Sequence, residues 1–229
     1  MASYVLIPGA GGSSWYWHLV TERLQRRGHH VVAAELPATD DSAGLLDYVA
    51  AVVDAAGERT GPIVVGQSLG GLVAPIVSGR LGAALLVMVA AMIPRPGESG
   101  GQWWEATGQP AAAAEFAVTE GRAPDAFDPV EVFLHDLPPD VLREALQRPV
   151  EQSDGPFRDP WPLSSWPAIP TRVVACRYDR LFPLPFMQRL SRQRLGIEPD
   201  VIDTGHLPAL ADPDSLTDIL ERYRRDVVD

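Results

Sequence analysis
The chain has 229 residues, 46% of them hydrophobic, and a formal net charge of −11. That length fits one domain, or one domain carrying a sizeable insertion, and the acidic balance argues against nucleic acid or an anionic membrane as a partner. All 19 basic residues are Arg, which excludes Schiff-base chemistry, a Ser–Lys dyad and a P-loop, since each needs a Lys.

The first half alternates between strands and helices. Tyr4–Ile7 reads as a core strand. Ser13 or Ser14 can cap a helix running to Gly28, with Trp15, Leu19 and Leu24 near one face. Val31–Leu36 is the next strand, closed by Pro37. Ser42 can cap a helix through Ala56, where Leu45, Val49, Val52 and Val53 recur at helical spacing. Ile63–Val65 is the third strand, a helix follows to about Arg80, and Leu85–Val89 is the fourth strand. Near-continuous apolar strands separated by helices predict a parallel sheet covered on both faces. Pro75 lies inside the third helix, where its missing donor and its ring predict a kink rather than a break.

From Pro94 to about Pro170 the pattern changes to Pro, Gly, Trp and Ala, without a convincing strand. Short helices are predicted at Gly101–Thr107, Ala111–Val118, Pro129–His135 and Pro139–Gln147. Residues 94–170 therefore read as a helical cap inserted into a core made of residues 1–93 and 171–229. Alternation resumes with a strand at Thr171–Cys176, a helix near Pro185–Leu195 and a strand at Pro199–Ile202. A last helix begins at Asp212-Pro213, with Leu216, Ile219, Leu220 and Tyr223 toward the core. The single Cys176 sits in an apolar strand and reads as packing rather than chemistry. No apolar run is long enough to span a bilayer. Met1-Ala2-Ser3 leads directly into a strand, so a cytoplasmic protein without a signal peptide is expected.

The most specific local signal is Gly66-Gln67-Ser68-Leu69-Gly70, set between an apolar strand and a small-residue helix. Strand, abrupt turn and helix are the setting in which Gly-x-Ser-x-Gly becomes a nucleophile elbow. The turn strains the Ser68 backbone and lifts its hydroxyl, and a side chain at Gly66 or Gly70 would collide with the neighbouring strand or helix. A Ser hydroxyl needs a base, and the base needs an orienting acid. In an open parallel sheet such groups gather beyond the carboxyl ends of the strands. Of five His, only His206 follows a strand end, in Ile202-Asp203-Thr204-Gly205-His206. His18, His29, His30 and His135 read as surface or packing residues, with His135 the one whose cap position could face the pocket. Asp179, just past Thr171–Cys176, is the expected acid. Asp203 competes, and Arg177 and Arg180 offer Asp179 a surface pairing instead. For the oxyanion hole the expected donors are the N–H groups of Leu69 and Ala10, with Gly11 next to Ala10 as the alternative. Gly9, Gly11 and Gly12 lack the Gly-x-Gly-x-x-Gly spacing of a dinucleotide fingerprint.

Taken together, these residues resemble the α/β-hydrolase family. The order Ser68, Asp179, His206 is that family's order, and the insertion after the fourth strand is where the family commonly places its cap. The resemblance covers nearly the whole chain and implies a six-stranded, mainly parallel sheet flanked by helices. Tyr4-Val5-Leu6-Ile7-Pro8-Gly9-Ala10 followed by Trp15-Tyr16-Trp17 resembles the branch of plant methyl esterases and hydroxynitrile lyases. That branch usually has His at the position of Pro8. Its lyases place Thr where this chain has Gly9 and Lys where it has Leu207, so the segment is similar to the esterase version.

The resemblance implies a serine hydrolase acting on a small, largely apolar carboxylic ester. Other triad chemistry (carbon–carbon cleavage, lactone opening, natural-product cyclisation) and a non-catalytic receptor stay open as alternatives. No cofactor and no metal are expected. The expected partner is a small-molecule substrate, with a homodimer left open. The pocket is expected to include Gly9, Gly11, Met92, Trp103, Trp104, Phe133 and Leu207. About half of the aromatic residues Trp103, Trp104, Trp161, Trp166, Phe116, Phe127 and Phe133 are expected to face substrate.

Overall fold
A computed structural model describes residues 1–124, 127–148 and 151–228. Six strands form one sheet: β1 (Ser3–Ile7), β2 (His30–Ala33), β3 (Ile63–Gln67), β4 (Leu85–Val89), β5 (Thr171–Cys176) and β6 (Asp200–Ile202). Their spatial order is β2-β1-β3-β4-β5-β6, and every pairing is parallel. The order reverses between β1 and β3, which creates a crevice beyond the carboxyl ends of those two strands.

The side-chain period of two explains the continuous apolar strands. Val5 and Ile7 pack on one face with Val64, Leu86, Met88 and Val173. Tyr4 and Leu6 pack on the other with Val65, Val87, Val89 and Val174. Helices α1 (His18–Arg26), α2 (Leu45–Ala56) and α3 (Gly70–Leu81) follow the first three strands in turn. Among the described residues between β4 and β5 come five short helices: α4 (Gly100–Thr107), α5 (Gln109–Thr119), α6 (Pro129–Phe133), α7 (Pro139–Ala145) and α8 (Gly155–Arg158). The chain closes with α9 (Leu184–Leu195), α10 (Pro208–Ala211) and α11 (Pro213–Val228). Among the described residues, no helix is long and apolar enough to cross a membrane.

Local chemistry shifts several expected boundaries. The first helix opens as a 3-10 turn at Ser14–Trp17, with the Ser13 hydroxyl accepting from Trp15 N–H. β2 ends at Ala33 rather than Leu36. Ser42 does not cap α2, because its hydroxyl bonds Asp40. Gly44 holds the N-terminal position instead, its N–H donating to Asp47 at 2.8 Å while Leu45 N–H reaches Asp159 at 2.8 Å. α3 continues through Pro75 without a break. Asp212 does cap α11, accepting from Ser215 N–H at 3.0 Å.

Candidate active site
Ser68 sits at the turn from β3 into α3 with φ +52°, a left-handed conformation that costs a non-glycine residue energy. The surrounding backbone holds it there. Ser68 carbonyl accepts N–H bonds from Gly71 at 3.0 Å and Met92 at 2.9 Å. A Cβ on Gly66 would lie 2.6 Å from Ala74 Cβ, and one on Gly70 would lie 2.7 Å from Pro8 O, so both positions exclude any side chain. Gly71 is tighter still, with Met92 O 2.1 Å from where its Cβ would stand.

Three side chains from distant parts of the chain meet above this turn. His206 Nε2 is 2.9 Å from Ser68 Oγ, and His206 Nδ1 is 2.7 Å from Asp179 Oδ2. Asp179 has no solvent exposure. Its other oxygen accepts the N–H groups of Leu181 and Phe182, each at 2.8 Å, which fixes the carboxylate plane. The imidazole lies against Phe182 (ring centroids 5.1 Å apart, edge-on) and Phe133 (5.5 Å). Its backbone carbonyl accepts from Gln67 Nε2 at 3.1 Å.

The competing acid is placed elsewhere. Asp203 is exposed and paired with Arg177 at 2.6 Å. Arg180 pairs with Glu120 at 3.0 Å rather than with Asp179. Of the remaining His, His18 bonds Trp15 carbonyl and stacks on that indole. His29 is buried between Ala2 N–H and Glu221. His135 turns toward Gly205, as described below. Cys176 is buried beside Asp179, and burial pushes its thiol well above the ordinary value, so it stays protonated and unreactive.

A half-open cavity of about 1280 Å³ lies over Ser68 and His206. Gly9, Ala10, Gly11, Leu69 and Met92 form part of its wall from the sheet side. Trp104 and Phe133 line it from the helices between β4 and β5, and Leu207 from the loop after His206. Trp103 departs from the expected pocket set. It is fully buried in the core, its indole N–H bonds Ile93 carbonyl at 3.0 Å, and its ring packs on Phe182 and Phe186. Adjacent residues of a helix point about 100° apart, so Trp103 and Trp104 cannot share a direction. Trp161 is likewise a core residue, donating to Leu72 carbonyl. Of the seven aromatics expected to be shared between cap core and pocket, Trp104, Phe127 and Phe133 line the cavity.

Other wall residues had not been expected from the sequence: Trp15, Tyr16, Phe157 and Leu210. Trp15 and Tyr16 stood out as a motif, but nothing in their spacing said which face they occupy. The wall also carries two cations, Arg122 and Arg180, which share the single carboxylate of Glu120 at 2.8 and 3.0 Å. In the loop after β1, Gly11 N–H is engaged by Gln152 Oε1 at 3.0 Å. Among the described hydrogen bonds, neither Ala10 nor Leu69 N–H has a protein acceptor. Among the described residues, no group of three or more His, Cys, Asp and Glu stands where it could hold a metal ion.

The model of the alpha/beta hydrolase family matches residues 4–219. No protein of curated function matches the sequence. Among solved structures the chain is similar to polyneuridine aldehyde esterase, with 17% identity, coverage of 97% of this chain and 99% of that one, and a TM-score of 0.79. It is similar to a pyrethroid hydrolase from Sphingobium faniae at 22% identity, covering 98% and 97%, with a TM-score of 0.78. It is also similar to an extracellular alpha/beta-hydrolase from a Paenibacillus species at 18% identity, covering 97% and 98%, with a TM-score of 0.77. At these identities the likeness is one of fold.

Proposed function
The chain belongs to the alpha/beta hydrolase family, and from that premise we propose that it is a serine hydrolase cleaving a largely apolar carboxylic ester. One observation carries the reading: Ser68 Oγ, His206 and Asp179 are linked by contacts of 2.9 and 2.7 Å at the floor of a cavity. A hydroxyl, an imidazole and a buried carboxylate in that sequence of contacts can perform acyl transfer. Among its structural relatives one is named an esterase and one a pyrethroid hydrolase, and they support the class of reaction only.

In this mechanism His206 Nε2 takes the Ser68 proton as Oγ attacks the ester carbonyl carbon. Negative charge moves to the carbonyl oxygen, where the N–H groups of Leu69 and Ala10 receive it, each worth roughly 3 kcal/mol of barrier. His206 then gives its proton to the leaving alkoxide, and the alcohol departs. Water adds to the acyl-enzyme by the same route in reverse and releases the acid. Asp179 holds the imidazole tautomer with Nε2 free to accept, and it stabilises the imidazolium that forms. Residues 94–170 act as a cap whose inner side chains select the substrate, over a core of residues 1–93 and 171–229. The cavity is larger than a compact ester needs, so the acyl or alcohol part has apolar bulk.

The test is labelling with a fluorophosphonate followed by peptide mapping, together with a panel of p-nitrophenyl esters of rising acyl length. Modification confined to Ser68, and turnover abolished in a folded Ser68→Ala protein, are expected. Labelling elsewhere, or retention of turnover by Ser68→Ala, overturns the reading.

A further inference from the structure
The loop that carries His206 is held by a contact that ester hydrolysis as described does not use. Asp136 lies in the turn between α6 and α7, far from β6 in sequence. Its Oδ2 accepts a hydrogen bond from the backbone N–H of Gly205, the residue immediately before His206. Its other oxygen, Oδ1, is shut off from solvent and has no hydrogen-bond partner among the described residues. The adjacent His135 Nδ1 is in the same condition. Both side chains press on Gly205, since a Cβ there would stand 2.6 Å from Asp136 Oδ1 and 2.8 Å from His135 Cε1. A Cβ here would therefore push aside the ends of these two side chains, while the backbone angles of Gly205 make no demand for glycine.

A carboxylate oxygen left unsatisfied in a closed place is destabilising. An apolar residue at position 136 would avoid that cost but would leave Gly205 N–H without its acceptor, so the hydrogen bond to Gly205 is what the carboxylate supplies. The peptide on one side of His206 is held by Gln67 from β3, through the His206 carbonyl. On the other side, one peptide removed, Asp136 holds the Thr204–Gly205 peptide through Gly205 N–H. Phe133, three residues before Asp136, also touches the imidazole. The helical segment that covers the cavity and the loop that presents the imidazole thus meet at the turn of residues 133–136.

We propose that Asp136 is a positioning residue for His206, through which seating of the helical insertion over the cavity also sets the base against Ser68. This rests on the reading of His206 as the base. Without the bond, the segment keeps the contacts of Gln67 with the His206 carbonyl, of Asp179 with the imidazole and of Thr204 with the Gly205 carbonyl, but loses its hydrogen bond to the helical insertion, and a misplacement of about 1 Å is enough to cost on the order of 100-fold in rate.

The experiment compares Asp136→Ala, Asp136→Asn and Gly205→Ala with the wild-type protein. It measures kcat, KM, the rate of fluorophosphonate labelling at Ser68, and thermal unfolding by circular dichroism. Asp136→Ala is expected to lower kcat and labelling rate together by about 10- to 100-fold while KM changes less than about twofold. Asp136→Asn keeps an oxygen acceptor for Gly205 N–H and should recover most of the loss. Gly205→Ala, which displaces the turn while leaving Asp136 in the chain, should reproduce the Ala variant. The proposal is overturned if Asp136→Ala labels at the wild-type rate. It is equally overturned if activity falls only in proportion to the unfolded fraction, or if Asn fares no better than Ala. Should Asp136→Ala fail to fold, the Asn and Gly205→Ala variants decide the matter by the same readouts. Absence of labelling in the wild-type protein would instead sink the hydrolase reading, so the two failures are distinguishable.

Discussion

The same substitution at two glycines of one helix should have opposite effects. Gly71 and Gly79 both lie in α3 (Gly70–Leu81). At Gly79, which is exposed, an added Cβ meets nothing within 4 Å. Gly79→Ala then acts mainly by lowering the entropy of the unfolded chain, and should stabilise by about 0.5–1 kcal/mol. At Gly71 the added Cβ would stand 2.1 Å from Met92 O, 2.8 Å from Met92 N and 3.0 Å from Ala91 Cβ. All but one of these are backbone atoms, so no rotamer change relieves the clash. Restoring ordinary contact needs a relative movement of roughly 1 Å. The Met92 N–H that must move is one of the two donors holding the Ser68 carbonyl. Overpacking at about 1–3 kcal/mol and a weakened buried hydrogen bond at about 1 kcal/mol together predict a loss of about 2–4 kcal/mol. In urea that lowers the midpoint by about 1 M. The displaced segment also underlies Ser68, so labelling by a fluorophosphonate should slow by on the order of 100-fold in the fraction that remains folded. Equal stability of Gly71→Ala and wild type, or a destabilised Gly79→Ala, would refute the reasoning, because the clash is the only difference argued between the two sites.

Asp179→Asn preserves shape but lets the wrong tautomer of His206 persist, so kcat should fall by about 10⁴ with the fold retained; a loss under tenfold would remove Asp179 from the mechanism. Trp104→Ala should alter the preference among esters of different acyl length, whereas Trp103→Ala, a core truncation, should cost about 3–5 kcal/mol of stability and leave that preference as it was; a shifted preference in Trp103→Ala would contradict its placement. At the far end of the sheet, Glu221 is buried under Tyr4, whose hydroxyl donates to it at 2.6 Å. Burial alone would raise the Glu221 carboxyl, but Tyr4, His29 and Arg224 outweigh it and the net shift is downward. A carboxyl lowered in the folded state adds stability that is present above its unfolded value, near about 4.3, and is lost as pH falls through the folded value. Glu221→Gln should therefore melt below wild type at pH 7, and the gap should close under acid. A gap that is constant with pH would show that the charge is irrelevant there.

What could be read from the sequence follows the reach of the constraint. The elbow was legible because Gly66, Ser68 and Gly70 satisfy a local steric demand between a strand and a helix, and the clashes found at both glycines are the expected ones. The parallel sheet was legible because strands buried on both faces leave near-continuous apolar runs. Helix caps were less so. Ser42 had the right chemistry to cap α2, yet Asp40 takes its hydroxyl, and the carboxylate on Leu45 N–H belongs to Asp159, more than a hundred residues away. α8 went unread because Gly155-Pro156 looks like a turn in a segment already rich in both residues.

The choice between Asp179 and Asp203 shows how the fold resolves what spacing leaves open. Both follow a strand end, and Asp179 also has Arg177 and Arg180 close by in sequence. In the folded chain Arg177 takes Asp203 and Glu120 takes Arg180, which leaves Asp179 with two backbone donors and one imidazole. The acid left without an Arg is the one that meets the imidazole. The same logic reaches residues that no local pattern could mark. Gly205 shows no unusual backbone angle and Asp136 belongs to no motif, so each alone reads as a loop residue. Only when the turn at 135–136 is seated on Gly205 do the close packing around that glycine and the acceptor opposite it become one feature. A constraint shared by two segments 69 residues apart is invisible to any window of sequence, and it adds to the support that His206 receives from Asp179 and Gln67.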